Sequence, residues 1–121
     1  MPAGLAVGVM RGGKKMEGLD LITAIVQRGK ADKVVDEAIK AGAEGATVFY
    51  ARGTGVRQKL GFLGRIITPE KEVILIVTKK SQTNAIFDII VKIGKFEKPG
   101  KGFAFVHTVD RAVGFLTGNN L

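Results

Sequence analysis

Two stretches of this 121-residue chain concentrate residues able to hold an anion. No acid occurs between Glu44 and Glu70, whereas Arg52, Arg57, Lys59 and Arg65 all fall in that interval. A second run sets Lys92, Lys95, Lys98 and Lys101 at every third position, opposed only by Glu97. Basic patches of this kind attract phosphates, nucleic acid or anionic partners, or else form a solvated lysine face. The second run leads into "KGFAFVHT" (Lys101–Thr108), close to the pattern K/R-G-F/Y-G/A-F-V-x-F/Y with which RNA-recognition motifs stack bases. On a chain with formal net charge +8 that chemistry has to be tested. Acid–base and metal chemistry find little material. His107 is the single histidine, and one His among scattered carboxylates falls short of a metal ligand set. The absence of cysteine excludes disulfides, zinc–thiolate sites and thiol nucleophiles, and fits a reducing compartment, the cytoplasm by default.

The elements that must position these residues follow from hydrophobic period. "LDLITAIVQRG" (Leu19–Gly29) is rich in β-branched residues and stops at Gly29, as a strand does. "ADKVVDEAIKAG" changes to a helical stripe of Val34, Val35, Ala38 and Ile39, with Asp32 as expected N-cap and Gly42 as stop. Asp32, Asp36 and Glu37 then fit a cap plus a solvated face. "GATVFYARG" is a second strand, with Val48 and Tyr50 on one face and Thr47 and Phe49 on the other. A glycine-containing basic segment follows from Gly53 to about Pro69. "KEVILIVTKK" is a third strand whose unbroken apolar run wants burial on both faces. "SQTNAIFDIIVKIG" is a second helix, capped near Ser81 or Thr83, with Ala85, Ile86, Ile89, Ile90 and Ile93 on one side and Gly94 at its end. Asp88 and Lys92 make an i, i+4 surface pair on it. A fourth strand runs from Phe103 to about Val109.

The order βαββαβ is that of the ferredoxin-like α+β sandwich, an antiparallel sheet with two helices on one face. Helices cover only that face, so the apolar run Val73–Val77 predicts a neighbouring subunit on the other, a homo-oligomer built sheet to sheet. At this length the chain is one domain. Residues 1–15 read as a mobile N-terminal extension and residues 16–121 as the domain. No apolar run approaches the roughly 20 residues of a membrane span, so no membrane insertion is expected.

Against this order the RNA reading fails. In an RNA-recognition motif the octapeptide lies on the third strand, beside an aromatic on the first, with both on an open sheet. Here it lies on the last strand, Leu19–Val26 carries no aromatic, and the final aromatic position is Thr108. No nucleic acid partner is expected.

The segments "GATVFYARGTGVRQKLG", "KEVILIV", "IGKFEKPGKGFAFV" and "VDRAVGFLTG", each at its place in βαββαβ, together resemble the PII nitrogen-regulatory signalling family, and more closely its short-loop PII-like relatives, over Met16 to Gly118. The resemblance implies a cytoplasmic, non-enzymatic homotrimer whose sheets line the centre. It also implies a loop between the second and third strands that contacts a target such as a membrane transporter or an enzyme of nitrogen metabolism. The base of that loop helps to bind a nucleotide. Gly53-Thr54-Gly55-Val56-Arg57-Gln58-Lys59-Leu60-Gly61 is similar to the family's Gly-x-Gly-Arg-Gln-Lys-Gly, with Val56 and Leu60 inserted. The carry-over therefore falls on Gly53 and Gly55, whose backbone can approach a phosphate, Arg57 as a forked donor, and Gln58 as a carbonyl for metal or ligand. Arg52, Lys59, Phe62 and Arg65 belong to the partner-binding loop. Phe62, Leu63, Ile66 and Ile67 either pack on the trimer or dock on a partner.

The family's second anion loop corresponds to "GKFEKPGKGF", where Gly100, Lys101 and Gly102 carry over. The family's phosphate lysine is replaced by Phe103, with Lys101 or Lys98 as substitutes. Its C-terminal Arg-x-Arg-Thr-Gly is matched by Gly114-Phe115-Leu116-Thr117-Gly118, without either arginine. Hydrogen bonds to charged groups contribute about 1.5–3 kcal/mol each, so these losses weaken the family's ATP mode by orders of magnitude unless the local lysines compensate. The cofactor expectation is accordingly an adenine nucleotide, ATP, ADP or AMP, by resemblance. The only tyrosine, Tyr50, precedes the loop, so modification at a loop tip is not expected. The alternatives are a CutA-type structural or metal-tolerance trimer, against which the absence of the relevant Cys and His speaks, an RNA-binding module, and an ACT-type amino-acid sensor.

Overall fold

A computed structural model describes residues 9–11, 14–16, 18–53 and 70–114 of the chain. Its elements in order are β1 (Val9–Arg11), β2 (Lys14–Met16), β3 (Leu19–Gln27), α1 (Ala31–Lys40), β4 (Thr47–Arg52), β5 (Glu70–Lys79), α2 (Lys80–Gly94), β6 (Gly102–Val109) and β7 (Ala112–Val113). β3 to β6 with the two helices are the expected βαββαβ unit. Its sheet has the order β4-β5-β3-β6, antiparallel at every pair. β2, β1 and β7 make a second, three-stranded sheet in which β1 runs antiparallel to β2 and parallel to β7. The boundary expected between residues 15 and 16 falls inside β2, and residues 9–11 contribute the central strand of that small sheet.

Register fixes which side chains share a face, since opposite residues of an antiparallel ladder point the same way. One face carries Ile22, Ala24 and Val26 beside Ile76, Ile74 and Glu72. The helices cover it. Ile22, Ala24, Ile74, Ile76, Ile86 and Ile90 are fully buried, with Ala31, Val34 and Ala38 closing the core from α1. Each buried isoleucine contributes about 1.5–3 kcal/mol relative to its exposed state, so this cluster holds the helices on the sheet.

The opposite face is open. Phe49, Val73, Ile25 and Phe103 form one row across it, and Thr47, Leu75, Thr23 and Phe105 the next. Phe103, Phe105 and His107 follow one another along β6, with centroid separations of 5.7 and 5.2 Å. Neighbouring side chains bury Val73 and Thr23, whereas Phe49 and Phe103 at the margins stay 47% and 63% exposed. The apolar run of β5 thus divides as expected: Ile74 and Ile76 reach the helices, and Val73, Leu75 and Val77 reach the open face.

Both helices start differently from expectation. α1 begins after Lys30, and Asp32 sits in its first turn without capping it. A carboxylate from β5 acts instead: Glu72 Oε1 accepts from the backbone N–H of Gly29 at 2.6 Å and of Ala31 at 3.2 Å. Ile39, expected in the apolar stripe, is 47% exposed, and the buried stripe is Ala31, Val34 and Ala38. α2 starts at Lys80, with neither Ser81 nor Thr83 capping it. Thr83 is buried and donates its hydroxyl to Asp20 Oδ2 at 2.7 Å, with Thr78 Oγ1 also 2.7 Å away. Lys80 Nζ donates to Asp20 Oδ1 at 2.6 Å and to Thr108 Oγ1 at 3.2 Å. This network ties β3, β5, β6 and α2 at one end of the sandwich. Ala85 is exposed, whereas Phe87 packs against the core.

Candidate functional site

At the other end of the sheet the ends of four strands meet. The ladders pair Arg52 with Glu70, Gln27 with Lys71 and Val26 with Gly102. The connections β3–α1, β4–β5 and α2–β6 therefore emerge side by side. This topology brings Arg52, of the first basic stretch, and Lys95 and Lys101, of the second, to one end of the molecule, which their separation along the chain does not reveal.

Arg28 in the β3–α1 turn is the pivot. Its backbone N–H donates to Glu70 O at 3.3 Å, and its guanidinium forms a hydrogen-bonded ion pair with the Glu70 carboxylate. The same guanidinium stands 5.0 Å from the centroid of the Tyr50 ring, within the range of a cation–π contact. Arg28 thus holds the last turn-facing part of β4 and the first residue of β5 together, at the root of the segment between them. The hydrogen bond to Glu70, followed by its charge, raises the Arg28 pKa. The same hydrogen bond from Arg28, then its charge, lowers that of Glu70, with Arg52 adding to the effect. The root is a site with fixed charges. Nothing in the composition singled out Arg28, and Tyr50 stood out only as the single tyrosine. The available signal was a cation beside the glycine ending the first strand, in "QRGK".

Of the residues expected to bind, Gly53 directly follows β4, where a Cβ would meet Lys71 Cγ at an ordinary 3.8 Å. Arg52 is exposed in register with Glu70. Gly55, Arg57, Gln58, Lys59, Phe62 and Arg65 lie outside the described residues.

The α2–β6 connection is described in full. Lys95 caps α2 in the left-handed region, φ 56°. Lysine there costs about 1–2 kcal/mol relative to a right-handed residue, and glycine is the usual occupant. Gly94 precedes it because the Phe96 ring lies against the backbone, 2.2 Å from where a Cβ of residue 94 would be. The same ring excludes a Cβ at Gly102, whose position is also 2.7 Å from Ile25 O. Gly102 is thus required by packing. The backbone N–H of Lys98 donates to Lys95 O at 3.0 Å and that of Lys101 to Lys98 O at 3.3 Å, making two successive turns. Gly100 has φ 80°, and its carbonyl accepts from Gln27 Nε2 at 2.8 Å. Phe103 points to the open face of the sheet, whereas Lys101 lines a cleft on the helix side. Among the described residues no group of three or more His, Asp or Glu is placed to hold a metal ion, and no helix is long and apolar enough to cross a membrane.

The family model of nitrogen regulatory protein P-II matches residues 19–119, from the first residue of β3 onward. The chain belongs to the nitrogen regulatory protein P-II family. Among solved structures, a crystal structure of Arabidopsis thaliana PII bound to citrate matches with a TM-score of 0.59 and 26% identity, over 78% of this chain and 79% of that one. No individual curated protein matches the sequence. As a PII-family chain the molecule keeps the family's sheet and helices. β1 and β2 lie ahead of the matched region, whereas β7, with which β1 pairs, lies within it.

Proposed function

We propose that this PII-family chain is a cytoplasmic homotrimeric regulator that reads a small anionic ligand at the Arg28 end of its sheet and regulates a partner protein, a transporter or enzyme of nitrogen metabolism. The observation that carries the reading is the root of the β4–β5 segment. There Arg28, Arg52, Glu70 and Tyr50 converge beside Gly53, from which the sequence runs on to Gly55, Arg57 and Gln58. A ligand held by those residues would order the segment and shift its population toward the form a partner recognises. Arg52, Lys59, Phe62 and Arg65 would supply the partner surface. The first ligands to test are ATP, ADP and AMP, followed by citrate, which the Arabidopsis protein binds. Gly100, Lys101 and Gly102 are the second element of the proposed nucleotide site.

The trimer reading rests on the open face, where the apolar row Phe49, Val73, Ile25 and Phe103 crosses the whole sheet beside Leu75 and Phe105. Light scattering of the wild-type chain gives three times the protomer mass on this reading, and Leu75→Lys, in the centre of the face, dissociates it. Calorimetric titration tests the ligand reading. Arg57→Ala and Gln58→Ala keep the fold and lower nucleotide or partner affinity. Unchanged affinity in both variants refutes the assignment of the segment.

A further inference from the structure

Between the start of α1 and the end of α2, at the same end of the sandwich, a cleft of about 260 Å³ opens toward solvent. Its floor is apolar, made by Val26, Val34 and Ile93. Lys30, Lys33, Lys95 and Lys101 line its rim, and no acidic side chain does. All four lysines are exposed, and none forms an ion pair with a described residue. The acid closest in the hydrogen-bond pattern is Glu72, whose Oε1 already accepts from the N–H groups of Gly29 and Ala31. Gln27 ties the α2–β6 connection to β3 through Gly100 O at 2.8 Å, fixing the strand of chain that presents Lys101.

Like charges gathered from three segments around one concavity repel one another. That arrangement raises the local concentration of anions and is relieved by binding one. A second, shallower depression on α2 is larger, about 490 Å³, but Asp88 and Glu97 stand among its lysines and cancel much of the field. The helix-end cleft is the one with a single sign. Its volume lies below the 300–1,000 Å³ of drug-sized pockets, which favours a compact ligand over a whole nucleotide.

We infer that the helix-end cleft binds a compact polyanion, with closely spaced carboxylate or phosphate oxygens, through Lys30, Lys33, Lys95 and Lys101. The cleft faces the helix side of the sheet, and Phe103, at the position where the resemblance puts the family's phosphate lysine, faces the other. Lys101 is accordingly withdrawn from the open face and works here.

The probes are citrate and inorganic pyrophosphate, titrated into the full chain at low ionic strength and followed by amide NMR shifts. Binding of either probe, with shifts concentrated at Gly29, Gly94 and Lys101, is the expected result. Citrate alone identifies carboxylates, pyrophosphate alone identifies phosphates, and both identify charge density as the determinant. K33Q/K101Q lowers affinity about tenfold, each exposed cation contributing a few-fold, and K30Q/K95Q does the same should the first pair fold poorly. K40Q, remote from the cleft, leaves affinity unchanged. Lys101 is shared with the nucleotide site proposed above, so K30Q/K95Q, which leaves Lys101 in place, is the pair that separates the two sites. Absence of binding by both probes, shifts confined to other surfaces, or affinity in both lysine pairs within twofold of wild type overturns the assignment.

Discussion

Replacing Asp20 with alanine tests the polar network that closes the sandwich opposite the proposed site. The Asp20 side chain is 10% exposed and accepts Lys80 Nζ at 2.6 Å and the Thr83 hydroxyl at 2.7 Å. Hydrogen bonds to a charged group contribute about 1.5–3 kcal/mol each. Lys80 keeps 42% of its side chain exposed and rehydrates when Asp20 is removed, recovering much of its share. Thr83, 4% exposed, keeps Thr78 as a partner. The net loss for Asp20→Ala is therefore about 2–3 kcal/mol, a fall in Tm on the order of 10 °C, measured by urea and thermal unfolding at matched protein concentration. Asp20→Asn, which keeps an acceptor for Thr83, loses less. The pH dependence follows from the carboxyl. Burial opposes its ionisation, but the hydrogen bonds from Lys80 and Thr83 and the Lys80 charge outweigh it and hold the pKa below 3.8. A depressed pKa stabilises the fold above the unfolded value, and this stabilisation is lost as pH falls through the folded value. The gap between wild type and Asp20→Ala is therefore constant from pH 7 to about pH 5 and narrows below 3.8. A loss below about 1 kcal/mol at pH 7, or a gap that persists unchanged to pH 2.5, refutes the ionic account of this network.

Glu72→Ala removes the carboxylate that receives Gly29 and Ala31, and costs about 1–2 kcal/mol by urea unfolding, as loss of a helix cap does. Asp32→Ala, which removes no cap, costs less. Gly94→Ala and Gly102→Ala both collide with Phe96 and destabilise by about 1–3 kcal/mol. Phe96→Leu rescues the first but not the second, because residue 102 also meets the Ile25 carbonyl. Arg28→Ala leaves Tm nearly unchanged, the Arg28–Glu70 pair being solvent-exposed, yet hydrogen exchange at Arg52, Gly53 and Lys71 accelerates as the segment root loosens.

The β-branched content of β3 and the unbroken apolar run of β5 made the sheet legible, because a strand with apolar side chains on both faces needs cover on both. Ile22, Ala24, Ile74 and Ile76 could sit only against helices, and Val73, Leu75 and Val77 were left for the other side. The helix starts were not legible for a matching reason. Capping rules look along the chain, to Asp32, Ser81 or Thr83, whereas Glu72 reaches α1 from a strand far away in sequence. Thr83 was drawn inward by Asp20, a tertiary partner that local rules do not contain. The site was half legible. Charge pattern located the two basic stretches, but only strand pairing shows that Arg52 and Lys101 share one end, and only the backbone of the α2–β6 connection shows Lys101 and Phe103 parting to opposite sides. Arg28 escaped notice because one arginine in a short turn carries no pattern, and its part arises from Glu70 and Tyr50, which topology places beside it.

Because Arg52 and Glu70 face each other across the ladder, the segment between them leaves the sheet and rejoins it at a single point. Closing a segment between two such fixed ends depends only weakly on its length, each doubling adding about 0.6 kcal/mol of closure entropy. Sheet and segment can therefore change on separate schedules. The sheet is held by isoleucines that tolerate little, while the stretch between Arg52 and Glu70 can be lengthened or trimmed as long as Arg28 keeps its two ends at the same separation.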